Sequence, residues 1–460
     1  VTMTDVTIEA GAVLDNGTRA INILGAYVIN GLHQGSGRIN MNGTANTVDG
    51  TGEVAITNQW RFRNGTDTIL ATADIRRTSG GQIRVLDNDS VVNYGSIIST
   101  RNFVGGGANA VWINETGSTI SSERVMFSNG RLIASATNNT VIYADPAGNQ
   151  TIKVPESNTY YHLQTSSSSN KNMAGDLIID GNLILNGGTF NTNNNDIELR
   201  GNFLNTAGVF NEGNGEITFN GTSDQTITPG SGEMFNTMTV NKSSGDVLLA
   251  GTLSVTDSLK LLSGNIVTQD NDFTLGTSIS NTGDLQRTSG HIVGAFERWI
   301  NTAGLGMLFP VGTNSDYRAL EFTFNTLNSG SMVVSVQTSQ PGNAGLPLLD
   351  VTDSVHSAFI EGYWDVQTSN GLTTTSYNLE AYANGFTSYT IDASTRILSR
   401  TGALSNWTVS GLHLAAISPR VRRASMTTLP IEIGIGDTTR CTSAVPVTSV
   451  ITGADSVCIN

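Results

Sequence analysis

A short template that occurs twice in the middle of the chain constrains the fold more than any other feature. The segment GDLIIDGNLIL at residues 175–185 is similar to GDVLLAGTLSV at residues 245–255, an offset of 70 residues. A Gln-Thr-Ile triplet precedes each copy, at Gln150 and at Gln225. A period of this length that is made of short strands indicates a supra-repeat of several smaller coils.

Apolar residues alternate with other residues inside the template, as at Leu177/Ile179 and Val247/Leu249. A period of two predicts strands with one buried face. Asn-Gly, Gly-Gly and Asn-rich turns separate the strands at intervals too short for crossover helices. We therefore expect an all-β chain with an N-terminal β-solenoid, similar to a parallel β-helix, at residues 1–285, with coils of roughly 20 to 25 residues. A sandwich of meandering strands is the competing interpretation.

The composition changes near residue 286, where Trp, Arg and Pro become more frequent and the strands lengthen. This pattern predicts an antiparallel β-sandwich at residues 286–420. Residues 421–445 are first basic and then loop-like, which predicts a linker. Residues 446–460 predict the first strand of a further module, so we expect the chain to be part of a longer polypeptide.

The charge balance is acidic, with a net charge of -14 at pH 7. Because nucleic-acid binding needs a basic footprint that displaces counterions from phosphates, this charge argues against a nucleic-acid partner. No run approaches 18 apolar residues, so no membrane span is predicted. Gly makes up 51 of 460 residues and charged residues only 13%, which is typical of an extracellular β-rich protein.

The two cysteines, Cys441 and Cys458, lie within the last twenty residues. A disulfide between them, a disulfide to a residue beyond Asn460, and two free thiols are all compatible with this spacing. Neither cysteine has the spacing of a metal ligand.

The best acidic pairs are Asp87 with Asp89 and Asp270 with Asp272. Each pair lies where a turn is expected, so we interpret the carboxylates as turn residues. Weak structural calcium binding is the alternative. No other cofactor and no metal site is predicted. A run of asparagines, Asn191 to Asn195, predicts either a ladder of stacked amides or a plain polar turn.

The five histidines are scattered singly, at His33, His162, His291, His356 and His413. Asp353, Ser354 and His356 place the residue types of a catalytic triad close in sequence, but no Gly-x-Ser-x-Gly elbow accompanies them. Motifs of zinc proteases, phosphate loops and dinucleotide-binding folds are also lacking. We therefore predict no catalytic residues and no enzymatic activity.

Several motifs resemble those of large surface proteins of Bacteroidota that are exported by the type IX secretion system. They are the Gln-Thr-Ile repeats, FPVG at residues 309–312, DYR at residues 316–318, GYW at residues 362–364, LPIE at residues 429–432 and ITGADSVC at residues 451–458. The resemblance implies a solenoid with Ig-like or PKD-like modules, export through that secretion machinery and an extracellular, cell-surface location. In particular, residues 446–460 are similar to the opening of such a module.

The same group carries O-linked glycans at Asp-Ser/Thr followed by a small or aliphatic residue. The resemblance therefore implies possible O-glycosylation at five positions of this chain, namely Thr68, Ser90, Ser258, Ser354 and Ser456.

These features together predict a secreted, non-enzymatic adhesion or structural protein whose solenoid stalk presents β-sandwich modules. Its expected partners are surface glycans or other cell-surface proteins, with self-association as a further option. A filament subunit is the first alternative, favoured if solenoid ends or strand edges pair between chains. A β-helix carbohydrate-active enzyme is the second, and three or more carboxylates on one face of adjacent coils would favour it.

Overall fold

The computed structural model describes residues 1–438, which are all-β, with about 50% of residues in strands and about 1% in helices. The predicted parallel β-solenoid is confirmed, and it has about 15 turns. Within the described residues, no helix is both long and apolar enough to cross a bilayer. The predicted module at residues 446–460, with Cys441 and Cys458, lies outside the described residues.

Two compact units divide the chain. The first consists of residues 1–277 and 283–290, and the second of residues 278–282 and the residues from 291 onward. The solenoid forms the first unit, and antiparallel sheets form the second.

Three parallel sheets form the faces of the solenoid, because each coil contributes one short strand to each face over most of the unit. Face 1 comprises Thr2–Met3, Ile21–Ile23, Ile39–Met41, Trp60–Phe62, Ile83–Val85 and Phe103–Gly105, followed by a separate sheet of Gln150–Ile152, Lys171–Met173, Thr189–Asn191 and Val209–Asn211. Face 2 comprises Val6–Ile8, Ala26–Ile29, Thr47–Asp49, Thr66–Ile69, Ser90–Asn93, Val111–Asn114 and Arg131–Ile133, followed by Thr159–Tyr160, Leu177–Ile179, Ile197–Leu199, Glu216–Phe219, Met234–Asn241, Leu253–Ser263, Phe273–Leu275 and Asp284–Arg287.

Face 3 is one continuous sheet through the first unit. It comprises Val13–Asp15, Leu32–Gly35, Glu53–Ile56, Asp74–Arg77, Ser96–Ser99, Thr119–Ser122, Thr140–Tyr143, His162–Thr165, Leu183–Leu185, Phe203–Asn205, Gln225–Thr228, Val247–Leu249 and Ile266–Val267. The first unit also contains a single 3₁₀ turn, Glu156–Asn158. Coil length varies, since paired residues are 18 positions apart at Ile21 and Ile39 but 24 apart at Thr66 and Ser90.

The inward side chains of the strands form the core. Trp60 is fully buried and contacts Tyr27 edge to face, with 5.8 Å between ring centroids. Farther along the solenoid Trp112 packs in the same way against Phe103 at 5.2 Å. Most of the other buried apolar residues of this core are Ile, Leu and Val. A single coil cannot bury its inward side chains alone, so it depends on its neighbours.

The two template copies lie on different faces, which the sequence alone did not predict. Leu177–Ile179 is on face 2 and is followed by Leu183–Leu185 on face 3, whereas Val247–Leu249 is on face 3 and is followed by Leu253–Ser263 on face 2. The offset of 70 residues is therefore not a whole number of coils. The repeated unit is a strand, a corner and a second strand, because each corner needs residues that allow the backbone to turn.

The two Gln-Thr-Ile triplets illustrate this corner chemistry. The buried Gln225 accepts a hydrogen bond from the Gly221 N–H at 2.7 Å and donates through Nε2 to the Leu199 carbonyl at 2.9 Å. Gln150 is on face 1 rather than face 3 but accepts from the Asp145 N–H at 3.0 Å in the same way. Each amide thus satisfies backbone groups of two neighbouring coils where the chain turns away from its ladder.

Two antiparallel sheets form the second unit. The first orders Phe296–Ile300, Gly330–Gln337, Tyr363–Ser369 and Ile431–Asp437, and the last of these also pairs with Ser357–Ala358 and Arg396–Arg400. The second orders Gly306–Phe309, Leu320–Phe324, Tyr377–Tyr382, Arg420–Met426 and Leu412–Ile417. Ile292–Val293 pairs with Val311–Gly312, and Leu348–Asp350 forms a hairpin with Asp353–Val355. Phe296 and Phe309 join the two larger sheets, with 6.1 Å between ring centroids.

In place of the linker predicted at residues 421–445, the structure has two strands through residue 437. Arg420–Met426 and Ile431–Asp437 lie inside the two sheets rather than beyond them. The basic residues that suggested a loop are partly buried. Arg423, which is 1% exposed, forms a two-pronged ion pair with Asp350, at 2.9 and 3.0 Å. A run of basic residues therefore suggests an exposed loop in the sequence, because the carboxylates that pair with it are distant in the chain.

Replacing Gln225 with Leu is expected to lower the free energy of unfolding by about 2 to 4 kcal/mol, because buried backbone groups and the ammonium of Lys242, 2.8 Å from Gln225 Oε1, lose a partner. Chemical denaturation followed by circular dichroism measures this change. Gln164→Leu, on the outer surface of face 3, is the matched control. Equal stability of the two variants would contradict the role given to the buried amide.

Candidate functional site

The predicted glycosylation residues differ in exposure. Thr68 and Ser90 lie half-buried on face 2, and Ser354 lies half-buried in the hairpin of the second unit. Ser258 is 7% exposed, and its hydroxyl is buried without a hydrogen-bond partner among the described residues. A glycan therefore has no access to Ser258 in the folded chain. Ser456 lies outside the described residues.

The predicted acidic pairs lie at turns. Asp89 accepts a hydrogen bond from the Gly65 N–H at 2.7 Å, and Asp87 accepts one from the Asn109 N–H at 3.0 Å. Both donors belong to neighbouring coils, so these carboxylates link coils. Asp270 and Asp272 are exposed at a turn. No group of three or more His, Cys, Asp or Glu side chains suited to a metal ion occurs within residues 1–438.

The residues with triad chemistry have other partners. The Asp353 carboxylate lies 2.6 Å from Arg396 Nη2 in an ion pair. His413, on a different strand, lies with Nε2 2.9 Å from Nη1 of the same guanidinium, which can only donate to it. The Asp353 carboxylate is therefore paired with an arginine rather than with a histidine.

The amide ladder is confirmed at Asn191. Its Nδ2 donates to Asn172 Oδ1 at 2.8 Å, and its Oδ1 accepts from Asn211 Nδ2 at 2.9 Å. These asparagines occupy equivalent positions in three successive coils of face 1. A second, buried pair joins Asn93 to Asn114 at 2.9 Å. The ladders extend the inter-coil hydrogen bonding from the backbone to the side chains.

Face 2 carries a column of carboxylates on adjacent coils, the feature that would favour an enzyme. The Asp196 N–H donates to Asp176 at 3.0 Å, and the Glu216 N–H donates to Asp196 at 2.9 Å. Burial acts to raise the pKa of Glu216, but hydrogen bonds from Lys260 and Thr239 outweigh it and hold this pKa below its usual range. A general acid needs the opposite shift. The carboxylates of this column therefore serve to bond adjacent coils to each other.

Face 1 carries a stripe of arginines, here called the arginine face: Arg38, Arg61, Arg84, Arg101 and Arg124. One arginine comes from each of five successive coils, since their strands or bridges pair in order from Ile39–Met41 to Met126. With coils about 4.8 Å apart, the stripe is about 19 Å long.

The guanidinium groups of this face have few partners. The Nε atoms of Arg38, Arg84 and Arg101 are buried and make no hydrogen bond among the described residues. Arg61 donates to Gln59 on its own coil. Of the five, Arg124 alone forms an ion pair among residues 1–438, with Asp145 at 3.6 Å. In a chain with a net charge of -14, a stripe with so few counterions is unusual.

Electrostatic repulsion follows from this crowding. The pKa of Arg61 is lowered by burial, and then by the positive charges of Arg38, Arg84 and Arg63. Such mutual repulsion is compensated when an anion binds between the guanidinium groups.

A groove of about 480 Å³ runs beside the stripe. Its lining is polar and contains no carboxylate: Thr57, Asn58, Gln59, Gly80, Gly81, Gln82, Arg101, Asn102 and Arg124. Gly81 cannot carry a side chain, because a Cβ would lie 1.5 Å from the Asn58 carbonyl oxygen. The missing side chain lets the backbones of two adjacent coils approach closely beside the groove. Amides and guanidinium groups are the donors that bind hydroxyl and carboxylate oxygens.

Sequence reasoning missed the arginine face, although a signal was present. Arg38, Arg61 and Arg84 are each 23 residues apart, and so are Arg101 and Arg124. This interval equals one coil from Trp60 to Ile83 and from Phe103 to Met126, whereas the coils from Ile39 to Trp60 and from Ile83 to Phe103 are 21 and 20 residues long. A search for residue types that recur at the coil length, rather than for compact motifs, finds the stripe.

Two buried carboxyl groups lie away from the arginine face. Burial raises the pKa of Asp67 to about 7, although Asn46 donates to it, and raises the pKa of Glu212 to about 8. Glu212 accepts from the Asn236 N–H of a neighbouring coil. We assign both groups to the stability of the solenoid, since each is enclosed between coils.

Comparison with protein-family models, characterised proteins and solved structures gives no significant match.

Replacing Glu212 with Gln is expected to remove one source of pH dependence. The pKa of Glu212 is about 8 in the folded chain against an ordinary value of 4.5, so the folded state holds a proton that the unfolded state releases. Its stabilising contribution is complete below the ordinary value and is lost as pH rises toward 8. The variant should therefore gain on the wild type between pH 5 and pH 8, by at most about 1.4 kcal/mol per pH unit.

Denaturant unfolding at several pH values measures this gain, and Glu9→Gln at an exposed carboxylate is the control for loss of one charge. A difference in unfolding free energy between variant and wild type that stays constant with pH would contradict the raised pKa of Glu212.

Proposed function

We propose that this chain is a secreted, non-enzymatic protein of a cell surface, in which the solenoid acts as a stalk and an adhesion surface and presents β-sandwich modules. The observation that carries the proposal is the continuous hydrogen bonding between coils, by backbone and by side-chain ladders such as Asn172, Asn191 and Asn211. Every coil is bonded to its neighbours along the axis, so force applied to the stalk is shared among many bonds. The outer faces offer many equivalent positions for weak, repeated contacts.

Surface location is the first part of the test. Brief protease treatment of intact producing cells should release peptides of this chain, while a cytoplasmic control protein stays intact. A strain that lacks the chain should attach less well to glycan-coated surfaces and grow at the same rate in suspension. Peptides that appear only after lysis would overturn the proposal.

The alternative functions have separate readouts. A filament subunit assembles into fibres that electron microscopy detects in purified protein, through pairing of strand edges between copies. A carbohydrate-active enzyme releases new reducing ends or unsaturated products from polysaccharides. The carboxylate column of face 2 is where such an activity would be sought, and Asp176→Asn with Asp196→Asn would abolish it.

If the type IX resemblance holds, glycan occupancy should follow exposure. We expect sugar masses on peptides that contain Thr68, Ser90 or Ser354 and a bare Ser258, because the Ser258 hydroxyl is buried in the fold. Peptide-mapping mass spectrometry of protein from the native surface measures this distribution. A glycan on Ser258 would mean that modification precedes folding, and bare residues throughout would remove the glycosylation argument for this export route.

A further inference from the structure

We propose that the arginine face binds an acidic polysaccharide, whose carboxylate or sulfate groups lie along the stripe from Arg38 to Arg124. The inference rests on the proposed function, because a polysaccharide of this kind meets the chain outside the cell. It names the ligand class that the adhesion surface recognises.

The charge arrangement is the first argument. Positive groups recur once per coil: Arg61 and Arg84 are paired residues on adjacent strands, whereas Arg38, Arg101 and Arg124 lie one or two residues before the strand or bridge of their coil. A linear polymer with repeated negative groups presents charges at comparable intervals, so several contacts form at once. Multiple weak contacts along one line give useful affinity even where each exposed ion pair contributes little.

The absence of internal partners is the second argument. Buried Nε atoms of Arg38, Arg84 and Arg101 have no acceptor among the described residues. Unsatisfied buried donors are costly, and guanidinium groups match carboxylate and sulfate oxygens in a two-pronged geometry. Because these Nε atoms are enclosed, a bound anion would pair with the outer nitrogens of the guanidinium groups and offset their crowded positive charge.

The neighbouring side chains select a sugar rather than a nucleic acid. Gln59, Gln82 and Asn102 line the groove beside the arginines and offer both donors and acceptors to hydroxyl groups. Single-stranded nucleic acids instead need outward aromatic side chains for base stacking. On this face Trp60 and Phe103 point into the core and are fully buried.

Binding by the purified chain tests the proposal. The probes are polygalacturonate and chondroitin sulfate, with neutral dextran and single-stranded poly(dT) as comparisons, measured by biolayer interferometry. We expect at least one acidic polysaccharide to bind and dextran not to bind. With about four ion contacts, affinity should fall on the order of 50-fold between 50 and 200 mM salt.

The decisive variant combines Arg61→Gln, Arg84→Gln and Arg101→Gln. We expect it to weaken binding about tenfold or more and to leave the unfolding midpoint unchanged or raised, since mutual repulsion is removed. The matched control combines Arg76→Gln, Arg131→Gln and Arg200→Gln, which changes the net charge equally but lies on the other faces. The control should bind like the wild type.

Three outcomes would overturn the proposal. They are no binding to either acidic polysaccharide, equal weakening by both triple variants, and binding to poly(dT) that is as tight as binding to the polysaccharides. The last outcome would favour a nucleic-acid partner. If protease releases peptides of this chain from intact cells but the chain binds no polysaccharide, the surface function stands and the polysaccharide proposal fails. If the chain binds polysaccharide but is not released from intact cells, only the surface function is refuted.

Discussion

Parallel pairing between successive coils is the interaction on which the whole solenoid depends. A single coil leaves its backbone groups without partners and its apolar side chains exposed, so stability arises only between neighbours. Side chains extend the same bonding: asparagine amides along face 1, carboxylates along face 2 and glutamine amides at corners. Polar residues that the sequence suggests are merely exposed therefore form hydrogen bonds between coils along the axis.

This dependence also explains why the acidic residues and the arginines differ in availability. The Asp176, Asp196 and Glu216 carboxylates accept hydrogen bonds from protein groups, which leaves less capacity for substrate or metal. Arginine has no acceptor atom and cannot take backbone N–H groups. Carbonyl groups can still satisfy an arginine, as they do for Arg77 on face 3. The arginine face has few such partners among the described residues, and on this ground we propose that it binds an external anion.

Particular residues show how far sequence reasoning reaches here. Alternation at Leu177 and Ile179 and the frequent turn residues were sufficient for the solenoid. The amide ladder at Asn191 followed from the run of asparagines. The linker at residues 421–445 was not predictable as strands, because the partners that neutralise Arg423 and Arg400, Asp350 and Glu432, are 73 and 32 residues away. Ser258 matched a modification motif, but burial by neighbouring coils is not visible in a motif.

The sequence by itself determined the periodicity, and with it the all-β class, the stacked coils and the positions of the corners. Local alternation and turn chemistry depend only on near neighbours, so they can be read directly. The tertiary structure alone decided which face each strand joins, since coil length varies and small differences accumulate along the stack. For this reason the two template copies lie on different faces, while arginines from five coils align into one surface.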